Sequence, residues 1–129
     1  VIFAEKMSLD DHLARHSCAD LFLDTFNFNA ATTASIALSS GLPIVTLSGK
    51  SYCARIAASM LSACNLKELI TYNEQEYESL AYELSTNKKK LFDIRLKLLD
   101  KKNCSFFDSY SFTSELEKIY ISLGKDKRS

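Results

Sequence analysis

LFLDTFNFNAATTASIALSSGLP, residues 21–43, decides the fold. Its apolar opening, Leu21 to Leu23, reads as a short buried strand that ends at Asp24-Thr25. A polar loop follows, and two threonines then open a helix from Thr32 to Ser39. Gly41 stands just past that helix, where a residue free to turn left-handed ends it, and Pro43 enters a second strand, Ile44 to Leu47. This order aims a helix N-terminus beyond the carboxyl end of the first strand. Backbone N–H groups and the helix dipole make such a place an anion site, most often a phosphate site. The first functional expectation is a nucleotide or nucleotide-sugar binder.

Working outward, strands and helices keep alternating. Ser8 caps a helix from Leu9 to about His16, with Asp10 and Asp11 in the first turn where the dipole favours them. Downstream, a helix over Ser51 to Cys64 carries Tyr52, Ile56, Met60 and Leu61 at helical spacing, and Leu69-Ile70-Thr71 reads as a third strand. The alternation predicts a parallel, Rossmann-like α/β sheet with right-handed crossovers, and three strands are too few for a complete one. Val1 to Ala4 reads as a further strand without a lead-in, which gives the expectation of a fragment of a longer chain. Beyond Thr71 the pattern is helical only. Glu74–Ser85 places Tyr77, Leu80, Ala81 and Leu84 on one face, Lys88–Lys101 places Leu91, Ile94 and Leu98, and Phe112–Leu123 places Leu116, Ile119 and Tyr120. These are expected to be core-facing stripes, packed on the sheet or on a neighbouring domain. The chain therefore divides into a β/α portion, 1–71, a helical segment packed on it, 72–123, and a frayed polar tail, 124–129.

Composition excludes several classes. The 129 residues suit one domain or a piece of one, with 47% hydrophobic content for a core. Lysine plus arginine equals aspartate plus glutamate at 16 each, so no global field favours nucleic acid or an acidic membrane. No apolar run reaches the ~20 residues needed to span a bilayer, and no signal-peptide pattern opens the chain. Cys18, Cys53, Cys64 and Cys104 form no C-x-x-C pair and have no histidine at zinc spacing. They read as reduced, small apolar residues of a cytoplasmic protein, where the sequon Asn103-Cys104-Ser105 meets no glycosylation machinery.

Other local signals have bland readings. Gly49-Lys50-Ser51 follows a strand and opens a helix, but a P-loop needs a glycine where Ile44 stands; Gly49 suits a tight turn near a ligand. The lysines from Lys88 to Lys90 and at Lys101-Lys102 read as the solvated face of an amphipathic helix. His12 and His16 share a helix face but lack a third ligand for a metal. No Ser/His/Asp arrangement or carboxylate pair stands out as a nucleophilic or glycosidase site.

The run ADLFLDTFNFNAATTASIALSSGLPIVTLSGKSYCARIAASML resembles the C-terminal catalytic lobe of the O-linked N-acetylglucosamine transferases. These SPINDLY-type protein glycosyltransferases usually follow tetratricopeptide repeats. Leu23-Asp24-Thr25, Thr32-Thr33 and Ala57-Ala58-Ser59 carry the likeness, which continues through Leu69-Ile70, Glu76-Tyr77-Glu78 and the closing TSELEKIYISL. The resemblance implies a GT-B fold, two Rossmann-like lobes across a cleft, with the C-terminal lobe holding the uridine diphosphate of the donor. It also implies that the first strands of this lobe, a diphosphate-binding lysine and the whole acceptor lobe lie outside the chain, so no catalytic residue is expected in it and it is not active alone.

Carried over residue by residue, the resemblance implies that His12 lies against the uracil ring, that Arg15 lies near it, and that Thr32 and Thr33 hold the diphosphate. Three family positions are substituted. A lysine of some members is Leu9, the histidine before the threonines is Ala31, and the aspartate that bonds the ribose is Ile36. A tryptophan is also replaced, by Ser39, which reads as a packing change. A hydrogen bond to a charged group contributes roughly 1.5–3 kcal/mol, so losing the histidine and aspartate contacts costs about 3–5 kcal/mol, more than a hundredfold in affinity. Two functions follow from the resemblance. One is the UDP-sugar-binding part of an inverting protein O-glycosyltransferase, with UDP-N-acetylglucosamine as donor, no cofactor or metal, and a protein or peptide acceptor reached through the absent lobe and repeats. The alternative is a degenerate, non-catalytic binding or scaffolding module.

Overall fold

The computed structural model describes residues 2–100 and 104–126. Its three strands are β1 (Phe22–Leu23), β2 (Ile44–Leu47) and β3 (Ile70–Thr71), all parallel and in the order β1-β2-β3. The register pairs Phe22 with Ile44 and Thr46 with Ile70. β2 is central and almost wholly buried, which fits its unbroken run Ile44-Val45-Thr46-Leu47: a parallel strand covered on both faces has no polar side to present. The architecture is the expected partial Rossmann-like α/β sheet.

The described residues also form six helices: α1 (Leu9–Arg15), α2 (Thr32–Ser39), α3 (Ile56–Ala63), α4 (Glu74–Thr86), α5 (Lys88–Leu99) and α6 (Ser109–Asp126). Ser8 caps α1 by accepting from the Asp11 N–H. α2 and α3 end alike. Gly41 (φ +75°) and Asn65 (φ +56°) each take the left-handed conformation one residue past the helix's C-cap, Ser40 and Cys64 respectively. The N–H of Leu42 then bonds back to Ala37, and that of Leu66 to Leu61, while both leucines bury in the core. This is the Schellman closure, which Gly permits freely and Asn tolerates. α2, α3 and α4 all touch β2, and Leu38, Ile44, Leu61, Leu69, Leu84 and Leu98 make the centre of the core.

Several expectations are corrected. The helix expected over Ser51–Cys64 is broken: a 3-10 turn at Cys53–Arg55 precedes α3. Gly49 N–H bonds the Ala54 carbonyl and Ser51 Oγ accepts from the Ala54 N–H, so the backbone folds back on itself before the helix begins. Tyr52 consequently leaves the buried stripe and is 77% exposed. Ile2 to Ala4 form no strand and stand exposed; Val1 lies outside the described residues. Ile119 and Tyr120 on α6 are exposed, because α6 reaches the rest of the molecule mainly through the turn at Ser105–Phe107. α6 also continues through Gly124 to Asp126. Lys101, Lys102 and Asn103 lie outside the described residues, as does the end of the tail from residue 127.

The cysteines are not all reduced. Cys64, at the end of α3, is joined to Cys104 in a disulfide, both buried in the core, while Cys18 and Cys53 are free. The pairing follows from tertiary packing across 40 residues of sequence, which spacing alone does not reveal.

Candidate functional site

The loop between β1 and α2 is held from inside. Asp24 is buried, and its Oδ1 accepts from the backbone N–H groups of Thr25 (2.9 Å) and Ala30 (2.8 Å). Its Oδ2 accepts from Thr46 Oγ1 at 2.6 Å, and Thr71 Oγ1 donates to the Thr46 carbonyl at 2.9 Å. One polar chain thus links all three strands and fixes where the loop leaves the sheet. Asn29, fully buried, adds Nδ2 to the Thr25 carbonyl (2.7 Å) and its own N–H to the Cys53 carbonyl (2.9 Å). Tyr77 Oη reaches from α4 to the Asp24 carbonyl at 2.9 Å.

This clamp delivers the chain to the start of α2 at Ala31, and no side chain caps that end. An alanine there has no oxygen to offer the first-turn N–H groups, which keeps them available to an external acceptor. Thr32 and Thr33 follow, both exposed.

A concavity of about 450 Å³ lies along the outer edge of β1, with His12, Arg15 and Thr33 among its lining residues. β1 pairs only with β2, so no strand among the described residues occupies that edge. His12 sits on α1 with its ring edge-on to His16, centroids 4.8 Å apart, and His16 Nδ1 lies 2.7 Å from the His12 carbonyl. Partial desolvation, then the charge of Arg15, then His16 hold the His12 pKa below its ordinary value, so its ring is neutral at pH 7. A neutral flat ring suits stacking on a base better than an imidazolium does. Arg15 donates to the Glu5 carbonyl at 3.2 Å. Across the molecule, Arg95 of α5 bonds the Ala19 carbonyl and lies 3.9 Å from Asp20, tying down the chain that leaves α1.

The structure therefore brings three of the sequence-derived candidates, His12, Arg15 and Thr33, to one place. Thr32 is on the same first turn of α2 but is not among the residues lining the concavity, and neither are Leu9, Ala31 and Ile36. Leu9 and Ile36 stand one helical turn from His12 and Thr33 respectively, so each is next to the site on its own helix. Sequence reading missed the positioning set Asp24, Asn29, Thr46 and Thr71. The signal was available in part: an aspartate at the carboxyl end of an apolar strand, followed by a polar loop, is placed to collect backbone N–H groups. No group of three metal-ligating side chains occurs among the described residues.

The family described as Glycosyl transferase family 41 matches residues 1–116. A probable SPINDLY UDP-N-acetylglucosamine–peptide N-acetylglucosaminyltransferase of Petunia hybrida is 33% identical over 88% of this chain and 12% of its own length. A UDP-N-acetylglucosamine–peptide N-acetylglucosaminyltransferase of Caenorhabditis elegans is 31% identical over 92% of this chain and 10% of its own. Among solved structures, a mutant O-GlcNAc transferase of Thermobaculum terrenum superposes with a TM-score of 0.87 and 34% identity, over 93% of this chain and 23% of that one. The chain thus spans about an eighth of the length of the curated relatives it matches, 12% for the Petunia protein. It belongs to glycosyl transferase family 41, with the α/β architecture of the C-terminal lobe of an O-GlcNAc transferase.

Proposed function

We propose that this chain is the donor-binding portion of a protein O-glycosyltransferase, taking UDP-N-acetylglucosamine as its sugar donor. The single observation that carries the reading is the convergence of His12, Arg15 and Thr33 on one concavity beside the uncapped start of α2. The neutral His12 ring lies against the base, and Arg15 meets negative charge beside it. Thr33, Thr32 and the first-turn N–H groups hold the diphosphate. In an inverting transfer the acceptor hydroxyl attacks the anomeric carbon while the bond to the diphosphate oxygen breaks. Charge grows on that oxygen, and preorganised N–H donors and a cation stabilise it most in the transition state. No metal is needed for this part of the task.

The remaining machinery, an acceptor lobe in a GT-B arrangement and tetratricopeptide repeats that present the protein acceptor, belongs to the longer protein. Transfer by this chain alone is not expected. A cytoplasmic location goes with this reading; no helix among the described residues is long and apolar enough to cross a membrane. A second reading, a non-catalytic binding module, is favoured by Ala31 and Ile36, which remove the side-chain partners of phosphate and ribose.

NMR during a UDP titration separates them. Donor binding moves the His12 ring and Thr33 amide signals together and leaves Tyr110, on α6, still. Unmoved His12 and Thr33 signals at saturating UDP contradict the donor reading and favour the second.

A further inference from the structure

α4 reaches the loop that presents α2, and it does so from a fixed start. Asn73 Oδ1 accepts from the Glu76 N–H (2.9 Å), and Glu76 Oε2 accepts from the Tyr72 N–H (2.9 Å), a reciprocal cap on the first turn. Tyr77 follows at once, its N–H closing the first helical bond to the Asn73 carbonyl (3.1 Å). Leu84, two turns on and on the same face, is fully buried, which keys that face to the core. A capped and anchored helix thus carries the Tyr77 ring to the end of β1.

There it makes two contacts with one loop. Its hydroxyl donates to the Asp24 carbonyl at 2.9 Å, across 53 residues of sequence. Its ring meets that of Phe26 edge-on, centroids 5.0 Å apart and planes at 83°, a favoured aromatic arrangement. Asp24 is therefore gripped twice: by its carboxylate, which gathers the N–H groups of Thr25 and Ala30, and by its main-chain oxygen. A turn of the Asp24 peptide would carry Ala30 with the carboxylate, and Ala30 immediately precedes the N-cap of α2, Ala31. Burial, then the charge of Asp24, raises the phenol pKa above its ordinary 10.0, so the hydroxyl stays a donor well above neutral pH. Tyr77 is not among the residues lining the concavity along β1.

We infer that Tyr77 is a positioning residue for the diphosphate end of the donor, a role that rests on the donor reading above. It acts through Asp24 and the 24–31 loop on the first turn of α2, where Thr33 and the free N–H groups stand. A ring that only filled space beside the loop would serve as well in phenylalanine; one that sets the loop needs its hydroxyl.

Tyr77→Phe in the 129-residue chain tests it, because the ring stays and the hydroxyl leaves. Hydrogen exchange without ligand reads the loop itself. The bonded amides of Asn29 and Ala30 are expected to exchange about tenfold faster in the variant. NMR titration, which reads weak binding, is expected to give a UDP affinity about fivefold lower. In a Thr33→Ala background that loss shrinks to about twofold or less, while in a His12→Ala background, altered on α1 instead, it persists at about fivefold. Tyr82→Phe, an exposed change on the same helix, alters neither readout. Unchanged exchange at Asn29 and Ala30, or a loss of the same size with and without Thr33, overturns the inference. Absence of UDP binding by the unmodified chain strikes the donor reading, and with it the ligand named here. UDP binding that is intact in Tyr77→Phe strikes this inference alone.

Discussion

Asp24 governs the site although it does not line it. Its carboxylate gathers two backbone N–H groups and the Thr46 hydroxyl in a buried setting. Asp24→Ala strands those three donors, and we expect a loss of about 3 kcal/mol in urea unfolding, because each unsatisfied buried group costs roughly 1–3 kcal/mol. His12 is the residue whose behaviour follows pH. With its pKa held below the ordinary 6.5, by desolvation first and then by Arg15 and His16, the folded ring resists protonation. Above pH 6.5 both folded and unfolded chains leave the ring neutral and it adds nothing to the pH dependence. Below 6.5 the unfolded chain binds the proton first, so stability falls as pH declines until the folded ring titrates too. An NMR titration of His12 is expected to give a midpoint below 6.5, and a midpoint above it contradicts the account.

Elements differ in how plainly the sequence announces them. α2 and β2 occupy the expected residues, because Gly41, Pro43 and an unbroken β-branched run are strong local signals that tertiary packing reinforces. The closure at Gly41 carries a prediction. Its φ is +75°, and an added Cβ would lie 3.1 Å from Leu99 Cδ2, so Gly41→Ala is expected to lower stability by about 1–2 kcal/mol in thermal or urea unfolding. The break before α3 was not legible, since the bonds that make it, between residues 49–55, depend on a fold-back and not on periodicity. The stripe on α6 has the right spacing but remains uncovered, with Phe112 at 67% and Tyr120 at 66% exposed, because periodicity tells which face is apolar and not what covers it. The Cys64–Cys104 bridge was likewise hidden. Constraining a 40-residue separation stabilises by about 3–4 kcal/mol on the chain-entropy estimate, so Cys104→Ser is expected to lower the oxidised protein's stability by about that much. An unchanged urea midpoint would show that the bridge contributes nothing.

At the scale of the whole molecule, the described residues form a sheet whose edge strands are β1 and β3, and the candidate donor site lies along the β1 edge. The family was readable because Leu23-Asp24-Thr25 and Thr32-Thr33 hold the framework together: the first anchors the loop, and the second opens the helix that the loop presents. What could not be read is how much binding survives Ala31 and Ile36. Those positions lie at the helix N-cap and on its second turn, and an absent side chain leaves its neighbours in place. The most direct test is calorimetry of UDP binding to the chain and to an Ala31→His/Ile36→Asp variant, each with and without Thr33→Ala. The account predicts weak binding by the unmodified chain. It predicts a gain of about a hundredfold on restoring the two side chains, as contacts worth about 3 kcal/mol require, and a loss with Thr33→Ala in both backgrounds. No heat of binding from the restored variant, or binding indifferent to Thr33, would contradict it.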